Sequence, residues 1–491
     1  MKKKTILIVA LMAAAVNLSA QDDRPTFEDY LKARQQGFNQ YQQQKENDFD
    51  AFRRQANAQF AAKMAEAWQR VGMEPPMPNP AEPDPVSPLV SDNEPTIPNI
   101  PIIPGGTITP IPVEPNKPRP KPQPVPVQPH EPQGNWFGFS FYGTSCKVRL
   151  DHRLDFKLNK IDEKSVAAVW QQLSGEASDA LVADCYRLIE EMNLCDWAAI
   201  KLFKAIGDAY YGKGSNEATL MQMYLLTQTG FKARIGRTEK SLVVLVPFDG
   251  TVYGMSFYRR DGEAFYDITE NQSEKGCLIF QEAFPNERIP SLRPKMPILA
   301  ENLTEGRTYK SEKYPEMSVQ IRQNRNLMAF LDGYPQCSHE NYVYAGLSER
   351  TKQAVYPILR KALEGKSISD AANMLLNFMH TAFDYQSDGQ QFGYERPFFG
   401  DESFWFPYND CEDRAILYSI LVKELLGIDA VLLAYPGHMA TAIALPEIVN
   451  GAYFEMNGKR YLFCDPTYIG SSIGMMPKRY GDLQPEVIII K

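Results

Sequence analysis

The most informative stretch of this 491-residue chain lies in its last third: Asn409-Asp410-Cys411-Glu412-Asp413-Arg414-Ala415-Ile416-Leu417. From Cys411 onward the apolar residues recur at helical spacing, and Gly427 ends the pattern, which predicts a helix over 411–426. Cys411 is therefore expected at a helix N-terminus. Unpaired backbone N–H groups and the helix dipole at such a position stabilise a thiolate, the nucleophilic form of cysteine.

Two further side chains, His438 and Asp465, follow Cys411 at positions from which they could activate it as a nucleophile. After a predicted strand, Pro436-Gly437 makes a turn and His438 opens a second strand. A hairpin around Asn457-Gly458 comes next, and Asp465 closes its last strand. If these strands pair, the His438 imidazole faces the Cys411 thiol and the Asp465 carboxylate orients the imidazole. This order supplies the nucleophile, base and orienting acid of covalent catalysis.

Each of the three residues also has an ordinary structural explanation. Cysteine is often buried as an apolar residue, His438 could be a turn histidine, and Asp465 could be a turn former at the end of a strand. Their order along the chain favours catalysis over these separate explanations. The other histidines lack a comparable context: His130, His152, His339 and His380.

The ordered set resembles the transglutaminase-like superfamily of papain-type thiol enzymes over residues 345–480. That family pattern has a helix-initial Cys, a Gly-x-x-Ala strand, a His that opens the next strand, and an Asp-Pro-Thr after another strand. The chain carries, in that order, Cys411, Gly427-Ile428-Asp429-Ala430, His438 and Asp465-Pro466-Thr467. The resemblance implies an α+β core with Cys411, His438 and Asp465 as the catalytic triad.

The acids around Cys411 allow two interpretations. The segment Asp410-Cys411-Glu412-Asp413 is similar to bacterial transglutaminase-like cysteine proteinases, in which acidic residues flanking the nucleophile bind calcium. The resemblance implies calcium ligands at Asp410, Glu412 and Asp413, and carboxylates suit that ion. Alternatively, Asp410 caps the helix and the other two acids stabilise its first turn. We favour the cap, with no cofactor, because full coordination needs more oxygens.

The loop from Gln386 to Asp410 is rich in aromatic residues and leads into the nucleophile. Such rings are expected to form the wall of a groove for a chain-like substrate, to cover the core, or both. The groove candidates are Phe398, Phe399, Phe404 and Tyr408. An oxyanion site would combine the Cys411 N–H with one side chain. Four candidates for that side chain stay open: Trp405, Gln386, Gln390 and Gln391.

Residues 198–272 follow the same plan as the predicted catalytic region. The spacing of eleven residues from Gly230 to Ser241 equals that from Gly427 to His438. The next interval, to an acid that ends a strand, is 26 residues in one region and 27 in the other. The spacing predicts an internal repeat, with two unrelated α/β segments as the alternative.

In this alignment Ser215 and Ser241 replace the cysteine and the histidine, and only Asp267 survives. A serine without a base is a poor nucleophile, so this copy is expected to be inactive and kept for packing, substrate binding or dimer formation. We therefore predict an α+β protein with two tandem transglutaminase-like (papain-like) domains. The degenerate domain is predicted over 135–300 and the catalytic domain over 301–491.

Residues 1–20 are typical of a secretory signal peptide. Three lysines precede an apolar run from Ile6 to Val16, which is too short to span a bilayer, and Ala20 is a small residue at a plausible cleavage point. The mature protein is expected in the periplasm or outside the cell, without a lipid anchor and without a transmembrane segment.

Residues 21–73 are predicted to form an amphipathic helix with an 11-residue repeat, which equals three helical turns. The repeat is marked by Phe27, Phe38, Phe49 and Phe60. This aromatic stripe needs a partner, which is the same helix in another chain (self-association as a coiled coil), the globular part, or a surface ligand. Residues 74–134 are predicted to be an extended, proline-rich linker that acts as a spacer.

The composition bounds the function classes. A net charge of -8 argues against nucleic-acid binding, and 44% hydrophobic residues with 23% charged residues are typical of a globular protein. All seven cysteines follow the linker, so export allows up to three disulfides and leaves at least one thiol unpaired.

The expected function is thiol-dependent acyl transfer on protein or peptide amides. Hydrolysis, as in a cysteine protease or amidase, is favoured by the resemblance at the nucleophile, and transamidation that cross-links proteins is an alternative. A non-enzymatic protein for surface binding or assembly is the competing class, because the long helix, the linker and an inactive copy suit that role.

Overall fold

The computed structural model describes residues 50–78, 96–97, 135–269 and 276–490. The chain divides into two compact units, Met1–Ala56 and Asn57–Lys491. In the first unit the described residues 50–56 are helical. The predictions for the signal peptide, for most of the long helix and for most of the linker lie outside the described residues. Within the described residues, no helix has the length and apolar character needed to cross a membrane.

The second unit is a mixed α+β structure, as predicted. Its elements up to residue 300 are helical residues 57–64 (α1), Gln69–Val71 (β1), Thr96–Ile97 (β2), Trp136–Phe141 (β3), Thr144–Arg149 (β4), Glu163–Leu173 (α2), Asp179–Glu191 (α3), Asp196–Tyr211 (α4), Asn216–Gln228 (α5), Arg234–Arg237 (β5), Leu242–Val246 (β6), Phe257–Arg260 (β7), Glu263–Asp267 (β8) and Cys277–Ile279 (β9). We call residues 57–300 the N-terminal half and residues 301–490 the C-terminal half.

The C-terminal half continues with Arg307–Lys310 (β10), Ser318–Ile321 (β11), Arg325–Asp332 (α6), His339–Ala345 (α7), Glu349–Leu363 (α8), Ile368–Ala382 (α9), Asp384–Tyr385 (β12), Asp388–Gln391 (α10), Tyr408–Asn409 (β13), Cys411–Leu421 (α11), Ala430–Tyr435 (β14), His438–Ala444 (β15), Tyr453–Met456 (β16), Lys459–Cys464 (β17), Met476–Pro477 (β18) and Glu486–Ile489 (β19). A π-helical turn, Val422–Leu426, continues α11, and Gly427 stops this helical segment with a φ of 69°, in the left-handed region that glycine tolerates. The predicted helix end is therefore confirmed.

Each half contains one large antiparallel sheet. The N-terminal sheet has the order β1-β9-β5-β6-β8-β7, and the C-terminal sheet has the order β16-β17-β15-β14-β19. In both halves a helix leads into a hairpin (β5–β6 or β14–β15), whose second strand pairs with the last strand of the next hairpin. A later strand, β9 or β19, then pairs with the outer side of the first strand.

The first hairpins of the two sheets also share their register. Arg234 pairs with Leu245 in the N-terminal sheet, and Val431 pairs with Ala442 in the C-terminal sheet. Val431 lies 197 positions after Arg234, and Ala442 lies 197 positions after Leu245. The offset from Ser241 to His438 is also 197. Ser241 therefore occupies the ladder position of His438. Residues 57–491 belong to one compact unit, so the domain boundary near residue 300 stays a prediction.

The predicted helix over 21–73 is too long at its C-terminal end. Helical structure stops at residue 64, and Gln69–Val71 forms a strand that pairs with β9. The pairing satisfies backbone groups at the edge of the N-terminal sheet, which a longer helix would leave open. Phe60 is buried against the rings of Trp170, Phe280 and Phe284. For this member of the aromatic stripe, the partner is the globular part.

Two described pieces of the predicted spacer also belong to the fold. Glu74 exchanges backbone hydrogen bonds with Phe257, and the Gly254 N–H donates to the Met77 carbonyl at 2.9 Å. Further on, β2 pairs with β18 in the C-terminal half. At these points the region predicted as a spacer is part of a folded unit.

The seven cysteines all lie in the described part of the chain, and all are buried free thiols. None of the up to three predicted disulfides forms. Cys464 in particular donates its S–H to the Leu462 carbonyl rather than pairing with Cys411. The structure therefore leaves Cys411 as a thiol.

Candidate active site

Cys411 is the first residue of α11, as the sequence predicts. Asp413 reaches back, and its Oδ2 accepts a hydrogen bond from the Asp410 N–H at 3.2 Å, in the manner of a capping box. The thiol is buried and donates to Oε2 of Glu412 at 3.3 Å. The helix start thus holds Cys411 at a fixed place among acidic side chains.

His438 and Asp465 are in direct contact, as predicted. His438 Nε2 lies 2.9 Å from Asp465 Oδ2, and the other carboxylate oxygen accepts from the Thr467 N–H at 2.8 Å and the Tyr468 N–H at 3.2 Å. Burial raises the pKa of Asp465, but the His438 charge and these hydrogen bonds outweigh it and hold the pKa below its usual value. Because a carboxylate only accepts, Nε2 carries the hydrogen in this contact and Nδ1 is the basic nitrogen that remains.

The first turn of α11 lies near this pair. His438 opens β15 and Asp465 follows β17, which is antiparallel to β15, so both residues lie at the same end of the sheet. Helix α11 packs against β15. Arg414, one turn after Cys411, interacts electrostatically with Asp465. His438 and Asp465 are therefore in contact at one end of the C-terminal sheet, and Arg414 brings the first turn of α11 within electrostatic reach of Asp465.

Arg414 is a buried cation that the sequence did not single out. Its Nη2 donates to the Phe383 carbonyl at 2.7 Å, and the guanidinium lies 5.4 Å from the Tyr385 ring centroid. Burial lowers the pKa of Arg414, while Tyr385, Asp410 and other nearby acids oppose that effect. The guanidinium is therefore a buried positive charge one helical turn after Cys411.

Two aromatic side chains missed as site residues support the His438–Asp465 pair. Tyr480 stacks on His438 with ring centroids 5.0 Å apart and planes within 9°. His380, which sequence reasoning set aside, has its Nε2 at 3.0 Å from the Asp465 carbonyl oxygen. Burial lowers the pKa of His380 to about 4, so it is neutral at pH 7 and donates a hydrogen bond to that oxygen.

A cluster of three buried carboxylates lies beside the thiol. One oxygen from each of Asp388, Asp410 and Glu412 comes within 4.8 Å of the others. Burial raises the pKa of Asp388 to about 9, and the nearby Asp410 adds to the shift. Within the described residues, Oδ1 of Asp388 has no hydrogen-bond partner. These hard oxygen donors fit a calcium ion in charge and chemistry, although other oxygens must complete its coordination.

The calcium ligands that the resemblance implied, as the alternative to a helix cap, differ from this cluster at one position. Asp413 accepts from the Phe398 N–H at 2.9 Å with one oxygen and from the Asp410 N–H with the other. Both of its oxygens are therefore used to fix the loop and the helix start. Asp388, from the preceding loop, takes its place in the cluster.

The prediction of a groove wall in this loop also needs a correction. Phe398, Phe399 and Phe404 are at most 2% exposed. Phe399 packs on Tyr334 and Tyr342. These three rings cover the core, and of the four groove candidates Tyr408 alone is exposed, at 37%.

The four oxyanion candidates are placed differently. Strands β12 and β13 run parallel with Tyr385 opposite Asn409, so Gln386 follows beside Asp410 and the nucleophile. Gln390 is exposed, and Gln391 donates to the Tyr408 carbonyl at 3.4 Å. The Trp405 ring lies 5.9 Å from the Arg325 guanidinium. Backbone pairing therefore favours Gln386.

The first predicted copy differs at all three positions. Ser215 is the N-cap of α5, and its side chain accepts from the Ala218 N–H at 3.1 Å. In the ladders, Leu245 pairs with Asp267, whereas its counterpart Ala442 pairs with Phe463. Asp267 therefore takes the place of Phe463.

The alignment of Asp267 with Asp465 is off by two residues for this reason. The ladder gives the place of Asp465 to Thr269, whose N–H donates to Asp267 Oδ1 at 2.9 Å. Two residues of a strand amount to roughly 6–7 Å. Asp267 is therefore not in the position of an orienting acid.

No family model matches the chain, and no curated protein or solved structure shows significant similarity to it.

Proposed function

We propose that the protein is a thiol-dependent acyl-transfer enzyme that cleaves protein or peptide amides with Cys411 as nucleophile. The observation that carries the proposal is the 2.9 Å contact between His438 Nε2 and Asp465 Oδ2, at the end of the sheet where α11 begins with Cys411. A buried acid that orients an imidazole near a helix-initial thiol is the arrangement expected of a nucleophile with its base.

In the proposed mechanism, Nδ1 of His438 takes the thiol proton as Cys411 Sγ attacks the amide carbonyl. The Cys411 N–H and the Gln386 amide stabilise the oxyanion. The imidazolium then gives its proton to the leaving amine, and a thioester remains on Cys411. Water, activated by His438, hydrolyses the thioester and restores the thiol. Asp465 keeps the imidazole oriented throughout. A lysine amine in place of water would give transamidation.

The fold proposal follows the same resemblance. Two tandem transglutaminase-like domains, the first inactive, account for the shared strand order and for the shared register of the first hairpins. Asp388, Asp410 and Glu412 would hold calcium, which would neutralise their charge beside the thiol. The signal-like start of the chain supports action in the periplasm or outside the cell.

The test is alkylation of the native protein by a neutral thiol reagent such as iodoacetamide. Burial raises the pKa of the other six cysteines, whereas Cys411 has His438 as its proposed base, so one label per chain is expected, on Cys411. The six expected to stay unlabelled are Cys146, Cys185, Cys195, Cys277, Cys337 and Cys464. Mass spectrometry locates the label, and Cys411→Ala should remove it.

The base is tested with His438→Ala against the matched control Ser241→Ala, which alters the same ladder position in the other sheet. The proposal expects slower labelling of Cys411 in His438→Ala only. Equal rates in the two variants would leave a binding or assembly protein as the better explanation. Incubation with a peptide mixture, with and without an added amine, then separates hydrolysis from transamidation by product mass.

A further inference from the structure

We propose that Tyr480 is a positioning residue for the catalytic base, holding the His438 imidazole at the orientation in which Nε2 meets Asp465 and Nδ1 serves the thiol. The inference rests on the proposed function of His438. Tyr480 would orient the base, and it would be a fourth side chain of the site, supplied by the C-terminal segment.

The contact is face to face. The two rings lie 5.0 Å apart between centroids with planes 9° from parallel, and both side chains are buried. The hydrogen bond to Asp465 fixes one atom of the imidazole, but it leaves the ring able to swing about that atom. The terminal torsion of histidine is broad, so one contact does not define the ring plane. A flat aromatic surface against one face removes this freedom.

Tyr480 is itself firmly placed. It ends a short 3-10 turn, Lys478–Tyr480, and its carbonyl accepts from the Leu483 N–H at 3.1 Å. Its ring also packs on Tyr435 at 4.9 Å, and Tyr435 is the residue paired with His438 across the β14–β15 hairpin. Strand β19 then returns the chain to the edge of the sheet.

The stack also suits the charge that develops on the base. When His438 accepts the thiol proton it becomes a cation, and the electron-rich face of an aromatic ring attracts a cation. Tyr480 also covers one face of the buried His438 ring, and exclusion of water strengthens the hydrogen bond to Asp465. Both effects come from the ring and not from the hydroxyl group, so phenylalanine should replace tyrosine.

The experiment compares Tyr480→Leu, Tyr480→Phe and a matched control, Tyr461→Leu. Tyr461 is buried in the same sheet and stacks on Phe454, with centroids 5.4 Å apart and planes within 15°. Each full-length variant is measured well below its melting temperature. The readouts are the rate of Cys411 alkylation by iodoacetamide and the ¹⁵N spectrum of the His438 ring, which reports its tautomer.

Tyr480→Leu should lower the alkylation rate by about tenfold and mix the two tautomers, since small misplacements of a catalytic group are costly. Tyr480→Phe should bring the rate back to within about twofold of the unmodified protein and keep one tautomer. Tyr461→Leu should lower stability and leave both readouts unchanged.

An unchanged rate and tautomer in Tyr480→Leu would overturn the inference, and so would an equal loss in Tyr480→Phe or in Tyr461→Leu. Failure of the proposed function is distinguishable, because it would appear in the unmodified protein as Cys411 labelling that His438→Ala does not slow.

Discussion

The two sheets share an order of strands and the register of their first hairpin, yet they differ at every position that chemistry would use. His438 meets an acid at 2.9 Å, whereas its ladder equivalent is Ser241 and the nearest comparable acid, Asp267, is displaced by two residues. The sheet is therefore a common frame, and the two halves differ in the few side chains at one end of it.

The connections before the two helices differ even more. Three residues, 212–214, precede Ser215 in the N-terminal half, whereas a loop of 25 residues, 386–410, precedes Cys411. The long loop supplies Gln386, Asp388 and the buried Arg396 to the C-terminal half. The two halves therefore differ in this connection: the short one leads only to the helix cap at Ser215, whereas the long one adds side chains before Cys411.

The largest effect on stability is expected from a substitution that destabilises the loop at residues 386–410. The Arg396 guanidinium lies 4.6–5.4 Å from the ring centroids of Phe392, Phe398 and Phe406, and it bonds the buried Glu402 at 2.7 Å. Arg396→Leu leaves that carboxylate buried without its partner, so the free energy of unfolding should fall by about 3–5 kcal/mol in a denaturant titration.

The exposed ion-pair partner of Arg396 provides the control. Asp332 contacts the same guanidinium at 3.1 Å but is 72% exposed, so Asp332→Ala should change stability by less than about 1 kcal/mol. Equal losses in the two variants would contradict the view that the buried pair organises the loop.

The second-largest effect is expected from the loss of Asp465, the acid that contacts His438. Asp465→Ala should slow Cys411 alkylation by about a hundredfold, because His438 loses the partner that fixes its ring. Asp267→Ala, in the other sheet, should cost about 1–2 kcal/mol of stability through its lost hydrogen bonds and leave the alkylation rate unchanged. A slower rate in Asp267→Ala would mean that the two halves are functionally coupled.

Calcium should act on the C-terminal half only. At a hundred times its dissociation constant the ion would stabilise the protein by about 2.7 kcal/mol, measurable as a higher melting temperature. Asp388→Asn should abolish this shift. Asp413→Asn should lower the starting stability but keep the shift, since Asp413 binds backbone N–H groups. The opposite pattern would favour the ligand set that includes Asp413, which the resemblance implied as an alternative.

The smallest effect is expected at the N-terminal cap of α5, in the N-terminal half. Ser215→Ala removes the hydrogen bond to the Ala218 N–H and should cost about 1 kcal/mol of stability. Labelling of Cys411 should not change. A loss of labelling would show that the N-terminal half contributes to the reaction.

Sequence reasoning placed the main parts of the site because they follow local rules. The helix that begins at Cys411, the hairpin at Asn457-Gly458 and the strand opened by His438 all depend on apolar periodicity and turn residues. The His438–Asp465 contact followed from antiparallel pairing. These features need only neighbours in sequence or one adjacent strand.

The parts that were missed depend on tertiary contacts. Tyr480 reaches His438 from a segment without periodicity, and His380 reaches the Asp465 carbonyl from α9. Asp388 joins the acid cluster through a parallel contact of two short strands. The misplacement of Asp267 arose because residue counts do not reveal ladder register. No pattern in one sequence encodes such contacts.

The proline-rich region begins and ends on the same folded unit. Glu74 is held by Phe257, β2 is held by β18, and the Asn135 carbonyl accepts from the Leu150 N–H at 3.0 Å. Residues 97 and 135 are therefore both anchored in the same folded unit. In polymer terms, doubling a segment whose two ends are anchored costs only about 0.6 kcal/mol of closure entropy, so insertions between residues 97 and 135 should be tolerated. A chain shortened to begin at residue 135 would instead lose α1, β1 and β2.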